Sequence, residues 1–428
     1  MAGNADSGNS RIFLRELFDT AITAVSAEAV MPDTLPGAAG RTAIIAIGKA
    51  AAAMMEVALD RCDGQIEGLI VTRYGHVLGR CDDPRVRIIE AGHPVPDENS
   101  LRAADEALAI ATGLGPQDRL IVLLSGGGSA LVAAPADGVS LAEKQEITRS
   151  LLKSGATISE INCVRKHLSR IKGGRLARAA GLAPVSTFII SDIPGDDAAF
   201  VASGPTVAET SGLADARAIL ESYGITPTTA ISNALASQEN EVPAPDALGL
   251  AGGETTIIGR ATDALKAACD HARNQGWTVT NLGDRLQAES RYLGASHAGL
   301  ARRLAAEGSR RVILSGGETT VTVRNDQGRG GRNLEYLLGL AIALEGVPGI
   351  SALACDTDGI DGTENAAGAV IFPDTISRAR ASGCDPHEYL ARNDAYSFFE
   401  ALGDLVITGP TQTNVNDFRA ILVEGGVS

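Results

Sequence analysis

The chain is poor in aromatic residues, poor in cysteine and without a long apolar run. Of 428 residues only 4% are aromatic, and a single one is tryptophan. With so few rings and as many as 49 glycines, the composition fits helices packed closely on a sheet better than a β-sandwich. The six cysteines (Cys62, Cys81, Cys163, Cys269, Cys355 and Cys384) include no C-x-x-C. Reduced thiols are the expectation at that spacing. No apolar run reaches about 18 residues, so no transmembrane helix is expected. The start lacks a basic stretch followed by an apolar one, so no signal peptide is expected and the cytoplasm is the default location.

Positive charge is also short. There are 37 Lys and Arg against 52 Asp and Glu, a formal net charge of -15. Nucleic acids and anionic membranes need clustered cations, so neither is an expected partner. A small anionic substrate remains open where local basic residues override the global field. The six histidines form no H-x-x-x-H and no H-E-x-x-H, which leaves zinc catalysis without support. No G-x-x-x-x-G-K-[ST] occurs, so there is no P-loop.

What is present is an alternation of strand-like and helix-like runs. Leu14, Leu17, Phe18, Ala21, Ile22 and Val25 follow helical spacing. Strands are expected at residues 42–47, 68–72, 86–90, 120–124 and 186–190, with helices at 49–59, 100–111, 141–154 and 160–179. This order argues for a parallel sheet with helices on both faces. The segment Gly224–Gly253 changes character, with Pro227, Pro243, Pro245 and a Gly-rich end. It reads as a crossover, dividing the chain into domains 1–235 and 236–428. Beyond it, strands are expected at 255–259, 278–282, 311–314, 319–323, 351–354 and 405–407, with helices at 261–274, 288–306, 334–344 and 395–402. Strands 311–314 and 319–323 are close enough for a hairpin, which would make the second sheet mixed.

Two turns stand out. Val122–Leu124 is followed by Ser125-Gly126-Gly127-Gly128-Ser129, and Val312–Leu314 by Ser315-Gly316-Gly317-Glu318-Thr319. A buried strand ending in such a turn exposes backbone N–H groups with no Cβ in the way. In open α/β sheets ligands bind past the carboxyl ends of the strands. The first turn suits a phosphate or carboxylate, or it is a tight turn packing helix on sheet. Leu131 stands where G-x-S-x-G would need its last glycine, so a serine-hydrolase elbow is not supported.

Other candidates lie at strand ends. Lys49, in Ile47-Gly48-Lys49-Ala50, sits where a helix dipole disfavours a cation, which tilts it toward a role with phosphate. Asp192, in Ser191-Asp192-Ile193-Pro194-Gly195-Asp196-Asp197, can bind Mg²⁺ or accept a hydroxyl proton, whereas Asp197 reads as a cap. Asp356, Asp358 and Asp361 share one Gly-containing loop suited to a hard cation, or form a solvated acidic turn. Arg324, Arg329 and Arg332 lie in a Gly-rich loop, and arginine forks match phosphoryl and carboxylate oxygens. Residues Asn162–Leu176 read equally as a solvated basic face or as function. His93, in the proline-stiffened loop Gly92–Asp97, reads as a structural loop residue ahead of one lining a site.

These blocks together resemble one family, the glycerate 2-kinases of the MOFRL or TtuD-like class, often labelled hydroxypyruvate reductase. The resemblance rests on Ile47–Ala50, Gly92–Pro96, Leu124–Ala130, Val164–Leu176, Ser191–Asp197, Ser203–Thr206, Leu314–Thr319, Gly331–Asn333 and Asp356–Gly362. It implies two α/β domains, an N-terminal Rossmann-like parallel sheet and a C-terminal mixed-sheet MOFRL domain, with the active site in the interdomain cleft. It implies ATP and Mg²⁺ as cofactors and phosphoryl transfer to the 2-hydroxyl of D-glycerate.

On that resemblance Lys49, Asp192 and Arg332 are the catalytic candidates. Ser125, Gly126, Gly127, Gly128, Ser129 and Glu318 would bind the nucleotide, and Asp358 and Asp356 the metal. The expected partners are D-glycerate and ATP, with a homodimer as the assembly to test. The rival readings are an NAD(P)H-dependent hydroxypyruvate reductase, which no G-x-G-x-x-G supports, and a non-catalytic binder using the same anion site.

Overall fold

In a computed structural model, residues 3–77, 82–208, 210–243, 254–308, 310–325 and 327–425 are described. They carry twelve strands in two six-stranded sheets. Two compact units result, Val30–Ile258 and a second made of Met1–Ala29 with Gly259–Ser428.

The first sheet takes β1 (Arg41–Ile47), β2 (Gln65–Arg73), β3 (Val86–Ala91), β4 (Arg119–Leu124), β5 (Val185–Ile190) and β6 (Thr255–Gly259). Their order is β3-β2-β1-β4-β5-β6. The pairs β2/β3, β1/β2, β1/β4 and β4/β5 are all parallel. Ala43–Ile47 and Leu120–Leu124 are fully buried. Both faces are covered by helices, so these strands are continuous apolar runs rather than alternating ones. Each buried Ile or Leu contributes about 1.5–3 kcal/mol. The order reverses between β1 and β4, so the chain leaves these neighbours toward opposite sides. Their carboxyl ends therefore bound the crevice where such sheets bind ligands.

The second sheet takes β7 (Thr278–Asn281), β8 (Arg311–Ser315), β9 (Ile350–Asp356), β10 (Gly368–Ile371), β11 (Leu405–Val406) and β12 (Asp417–Val423), in the order β11-β10-β9-β12-β8-β7. It is mixed, as expected, but not through the expected hairpin. β12 enters between β8 and β9 and runs antiparallel to both. Residues 319–323 form no strand beside β8. Instead Glu318 N donates to Leu286 O, Thr320 N to Ala288 O and Ser290 N to Thr320 O, so the segment is tied to the loop before the helix Ser290–Ala306.

Three further expectations change. The helix expected over 160–179 is two, Ile158–His167 and Arg175–Ala179, broken where Gly173 and Gly174 take left-handed φ values. The expected crossover contains the helix Thr229–Ala236, and its residues 244–253 lie outside the described residues, as does Cys81. The compact units divide at 258/259 rather than 235/236, and the helix Gly3–Ala24 packs with the second unit. Phe13 stacks on Trp277 at 5.3 Å, Phe18 lies 5.8 Å from Phe418, and Arg11 pairs with Asp404 at 2.6 Å. The aromatic burial ties that helix to β12 and to the helix preceding β7. The other described cysteines, Cys62, Cys163, Cys269, Cys355 and Cys384, are buried free thiols.

Candidate functional site

In the first unit the register aligns Ile47 of β1 with Leu124 of β4, and Leu124 with Ile189 of β5. The residues that follow these strands, Lys49, Ser125–Ser129 and Asp192, therefore share one edge of the sheet. Backbone bonds fasten the first two. Ser125 N donates to Ile47 O at 3.0 Å, Lys49 N to Gly126 O at 3.0 Å, and Ala50 N to the buried Ser125 hydroxyl at 3.0 Å. Gly48, at φ 126°, permits this approach, because a Cβ there would lie 2.2 Å from Ser125 Oγ. A Cβ on Gly127 would lie 3.1 Å from the His93 ring and 3.6 Å from Lys49 Cε. His93, read as a loop residue, thus stands with Lys49 beside the Gly-rich turn.

Ser129 closes the turn at the start of the short helix Gly128–Leu131. Its hydroxyl lies 2.5 Å from Arg165, 3.0 Å from Lys172 Nζ and 2.9 Å from Ser203 Oγ. Lys172 also donates to Ser129 O at 2.7 Å. Two cations from the basic segment thus converge on one serine of the turn. Burial pulls the Arg165 guanidinium and the Lys172 ammonium below their ordinary values, and for Lys172 the neighbouring Arg165, Lys144 and Lys166 add to it. Asp192 is half-buried past β5. Asp197 accepts from Ala199 N at 2.9 Å, a local cap on the turn that follows.

The second unit gathers a separate ionic cluster. Arg332 begins the helix Arg332–Leu344. Its Nε donates to Asp417 Oδ1 at 2.6 Å and Nη2 to Asp356 Oδ2 at 2.8 Å, while Nη1 lies 3.5 Å from Glu318 Oε1. Burial pulls its pKa down, and Asp417, Asp356 and Glu318 outweigh that and hold it well above the ordinary value. Asp356 and Asp417 face each other across β9 and β12. Asp358 N donates to Asp356 Oδ1 at 3.2 Å, and Ile360 N to Asp358 Oδ1 at 2.8 Å, so the acidic loop curls on its own carboxylates. Asp361 does not join them. It accepts from Asn333 N and Leu334 N at the start of the Arg332 helix, and burial pushes its pKa up to about 6 against those two bonds. Arg329 turns away to Glu364 and Glu400 and lies over Tyr396 at 4.3 Å. A cavity of about 300 Å³ opens beside Arg332, lined in part by Thr319, Val321, Val323, Gly331 and Asn393.

Asp417, Arg419, Arg165 and Lys172 are the residues that the motifs missed or left undecided. Asp417 opens a strand the sequence reading did not place, although Phe418–Val423 is a visible apolar run interrupted only by Arg419. That arginine is fully buried and pairs with Asp417, while its Nη1 donates to Gly316 O at 2.7 Å.

Known proteins share this architecture. Residues 13–236 match a family described as a domain of unknown function (DUF4147), and residues 311–417 match the MOFRL family. A D-glycerate 2-kinase of Thermotoga maritima is 39% identical over 94% of this chain and 95% of its own length. The chain belongs to the glycerate 2-kinase family. A glycerate kinase crystal structure from Thermotoga maritima superimposes with a TM-score of 0.85 at 37% identity, covering 97% of this chain and all of that one. A relative from Agrobacterium vitis, 47% identical over 97% of this chain and 95% of its own length, carries the provisional name hydroxypyruvate reductase. Among the described residues no helix is long and apolar enough to cross a membrane.

Proposed function

We propose that this chain transfers the γ-phosphoryl group of ATP to the 2-hydroxyl of D-glycerate, giving 2-phospho-D-glycerate and ADP. The observation that carries the reading is the shared sheet edge of Lys49, His93 and the Ser125–Ser129 turn, in a chain of this family. Phosphoryl transfer asks for positioning and charge neutralisation more than for covalent chemistry. The backbone N–H groups of Gly126, Gly127, Gly128 and Ser129 receive an oxyanion of the substrates, while that of Ser125 holds the turn to Ile47 O. Lys49 and Arg332 stabilise charge on the group in transfer, and Glu318 supports Arg332. Asp192 takes the proton as the 2-hydroxyl oxygen bonds to phosphorus and the bond to the ADP oxygen breaks.

Magnesium fits the acidic loop as a partner of the nucleotide. Among the described residues no group of three or more ligating side chains converges. A Mg²⁺ ion that arrives on phosphates takes one or two protein carboxylates, and Asp358 and Asp356 are the buried pair that would hold it. When bound, the ion neutralises phosphate charge. A single coupled assay tests the reading. Protein, ATP, Mg²⁺ and D-glycerate are mixed with enolase and no phosphoglycerate mutase. Phosphoenolpyruvate is expected, since only the 2-phosphate feeds enolase; its absence sinks the proposal. The reductase reading has the Agrobacterium name behind it and predicts NADH oxidation with hydroxypyruvate instead.

A further inference from the structure

The basic segment after β4 holds a charge imbalance. Lys144 and Lys172 are buried, and Arg165 is half-buried beside them. For Arg165 and Lys172 no carboxylate lies within ion-pair distance among the described residues. Arg165 uses one of its five N–H groups, on Ser129, and Lys172 uses its ammonium on the same residue's hydroxyl and carbonyl. Lys144 Nζ donates to Leu168 O at 2.8 Å. The charged neighbours that bear on Lys144 and Lys172 are all cations. Burying charges without a counter-charge is costly, and proteins meet that cost with a partner or a ligand. The chain as a whole is strongly acidic, so the cluster is a local exception. Its outlet is also defined. Gly127, Ser129 and Arg165 are the partly accessible residues over the buried lysines, and Lys49 and His93 flank Gly127. The backbone below is held out of its preferred region, with Ala202 and Ser203 at φ 51° and 62°, so that the Ser203 hydroxyl reaches Ser129.

We propose that Arg165, braced by Lys172 through Ser129, is the cationic floor of an oxyanion subsite at the Gly127–Ser129 turn. Its ligand is a carboxylate or a phosphoryl group, and under the phosphoryl-transfer reading, on which this identity rests, it is the glycerate carboxylate or an ATP phosphate. Arg165 touches the anion. Lys172 lies one layer deeper and positions the serine.

Thermal midpoints of the full chain test this with inorganic phosphate, D-glycerate and ATP as separate probes. Wild type is expected to be stabilised by phosphate and by at least one substrate. Arg165→Gln is expected to weaken the affected ligand about tenfold to a hundredfold, the loss of one charged hydrogen bond, and to remove the phosphate shift. Its ligand-free midpoint should stay or rise, because an uncompensated cation has gone. Arg165→Lys should recover part of the affinity, since it restores the charge without the fork. Loss confined to D-glycerate assigns the carboxylate, and loss confined to ATP assigns the phosphoryl group. An Arg165→Gln protein that binds all three probes as wild type does, or a fall in its ligand-free midpoint with the ligand shifts intact, overturns the proposal. So does a wild type stabilised by none of the probes. The kinase reading is judged apart, by turnover: phosphate binding that depends on Arg165, in a protein that makes no phosphoenolpyruvate, leaves the subsite standing and removes the kinase.

Discussion

At the scale of residues, Arg332 and Lys49 are the two cations assigned to the group in transfer. Arg332 is already engaged by Asp417 and Asp356, with Glu318 nearby, so its guanidinium is fixed before any substrate arrives. Lys49 stands half-buried at the end of β1 beside Gly127. Lys49→Ala and Arg332→Ala should each lower kcat by two to three orders of magnitude, about the effect of removing one preorganised charge. Near-normal turnover in both, measured by the enolase-coupled assay, would remove them from the chemistry. His297 offers a prediction on stability. Its Nδ1 lies 2.8 Å from the Tyr336 hydroxyl, and burial, with the Arg419 cation second, holds its pKa down to about 4. An unfolded histidine titrates near 6.5. Between these values the unfolded chain takes up the proton and the folded chain does not. The stability it contributes is therefore present above pH 6.5 and lost as pH falls toward 4, by up to about 3 kcal/mol. Urea unfolding of His297→Gln should show a correspondingly shallower loss from pH 7 to pH 4; equal slopes would clear His297 of the effect.

At the scale of elements, most strands were legible because a buried parallel strand is a short unbroken apolar run ending at glycine. β1 and β4 are of this kind, and so are the turns that follow them, whereas β5 carries Ser186 and Thr187, runs into Ser191-Asp192 and was legible from Phe188–Ile190. β12 was not legible, because Asp417 and Arg419 interrupt it and its antiparallel place between β8 and β9 is a long-range fact. The second Ser-Gly-Gly turn misled for a related reason: its continuation bonds to residues 286–290, which no hairpin rule anticipates. The helices Ser290–Ala306 and Arg332–Leu344 pack with their backbones in near contact. A Cβ on Gly294 would lie 2.2 Å from Tyr336 O, and one on Gly339 would lie 2.6 Å from Arg291 O. Gly294→Ala must spread this pair, at a cost of about 1–3 kcal/mol for overpacking. A variant with the wild-type urea midpoint would mean that the helices separate freely.

At the scale of the whole molecule, the helix Gly3–Ala24 belongs to the unit formed by the C-terminal half. Phe13 covers Trp277, the single tryptophan, and Phe18 covers Phe418. Removing residues 1–25 should strip that cover, shift tryptophan emission to the red and lower the thermal midpoint of the second unit. Unchanged emission would show that the helix is an appendage. The sequence divides at a change of composition, whereas the compact units divide by packing, and that is why the two boundaries differ.

The chain's local order was decided by the sequence alone. Apolar runs, glycine turns and the ordered motifs specify the α/β class, the strand-end positions of Lys49, Ser125–Ser129 and Asp192, and the family. These depend on neighbours a few residues apart, where periodicity and backbone freedom act directly. Only the tertiary structure decided which charges meet. Arg332 with Asp417, Asp361 at the start of the Arg332 helix, and Arg165 with Lys172 on Ser129 all join separate segments. Such pairs depend on strand order and on the cost of burying charge, and neither is written in any one stretch of chain.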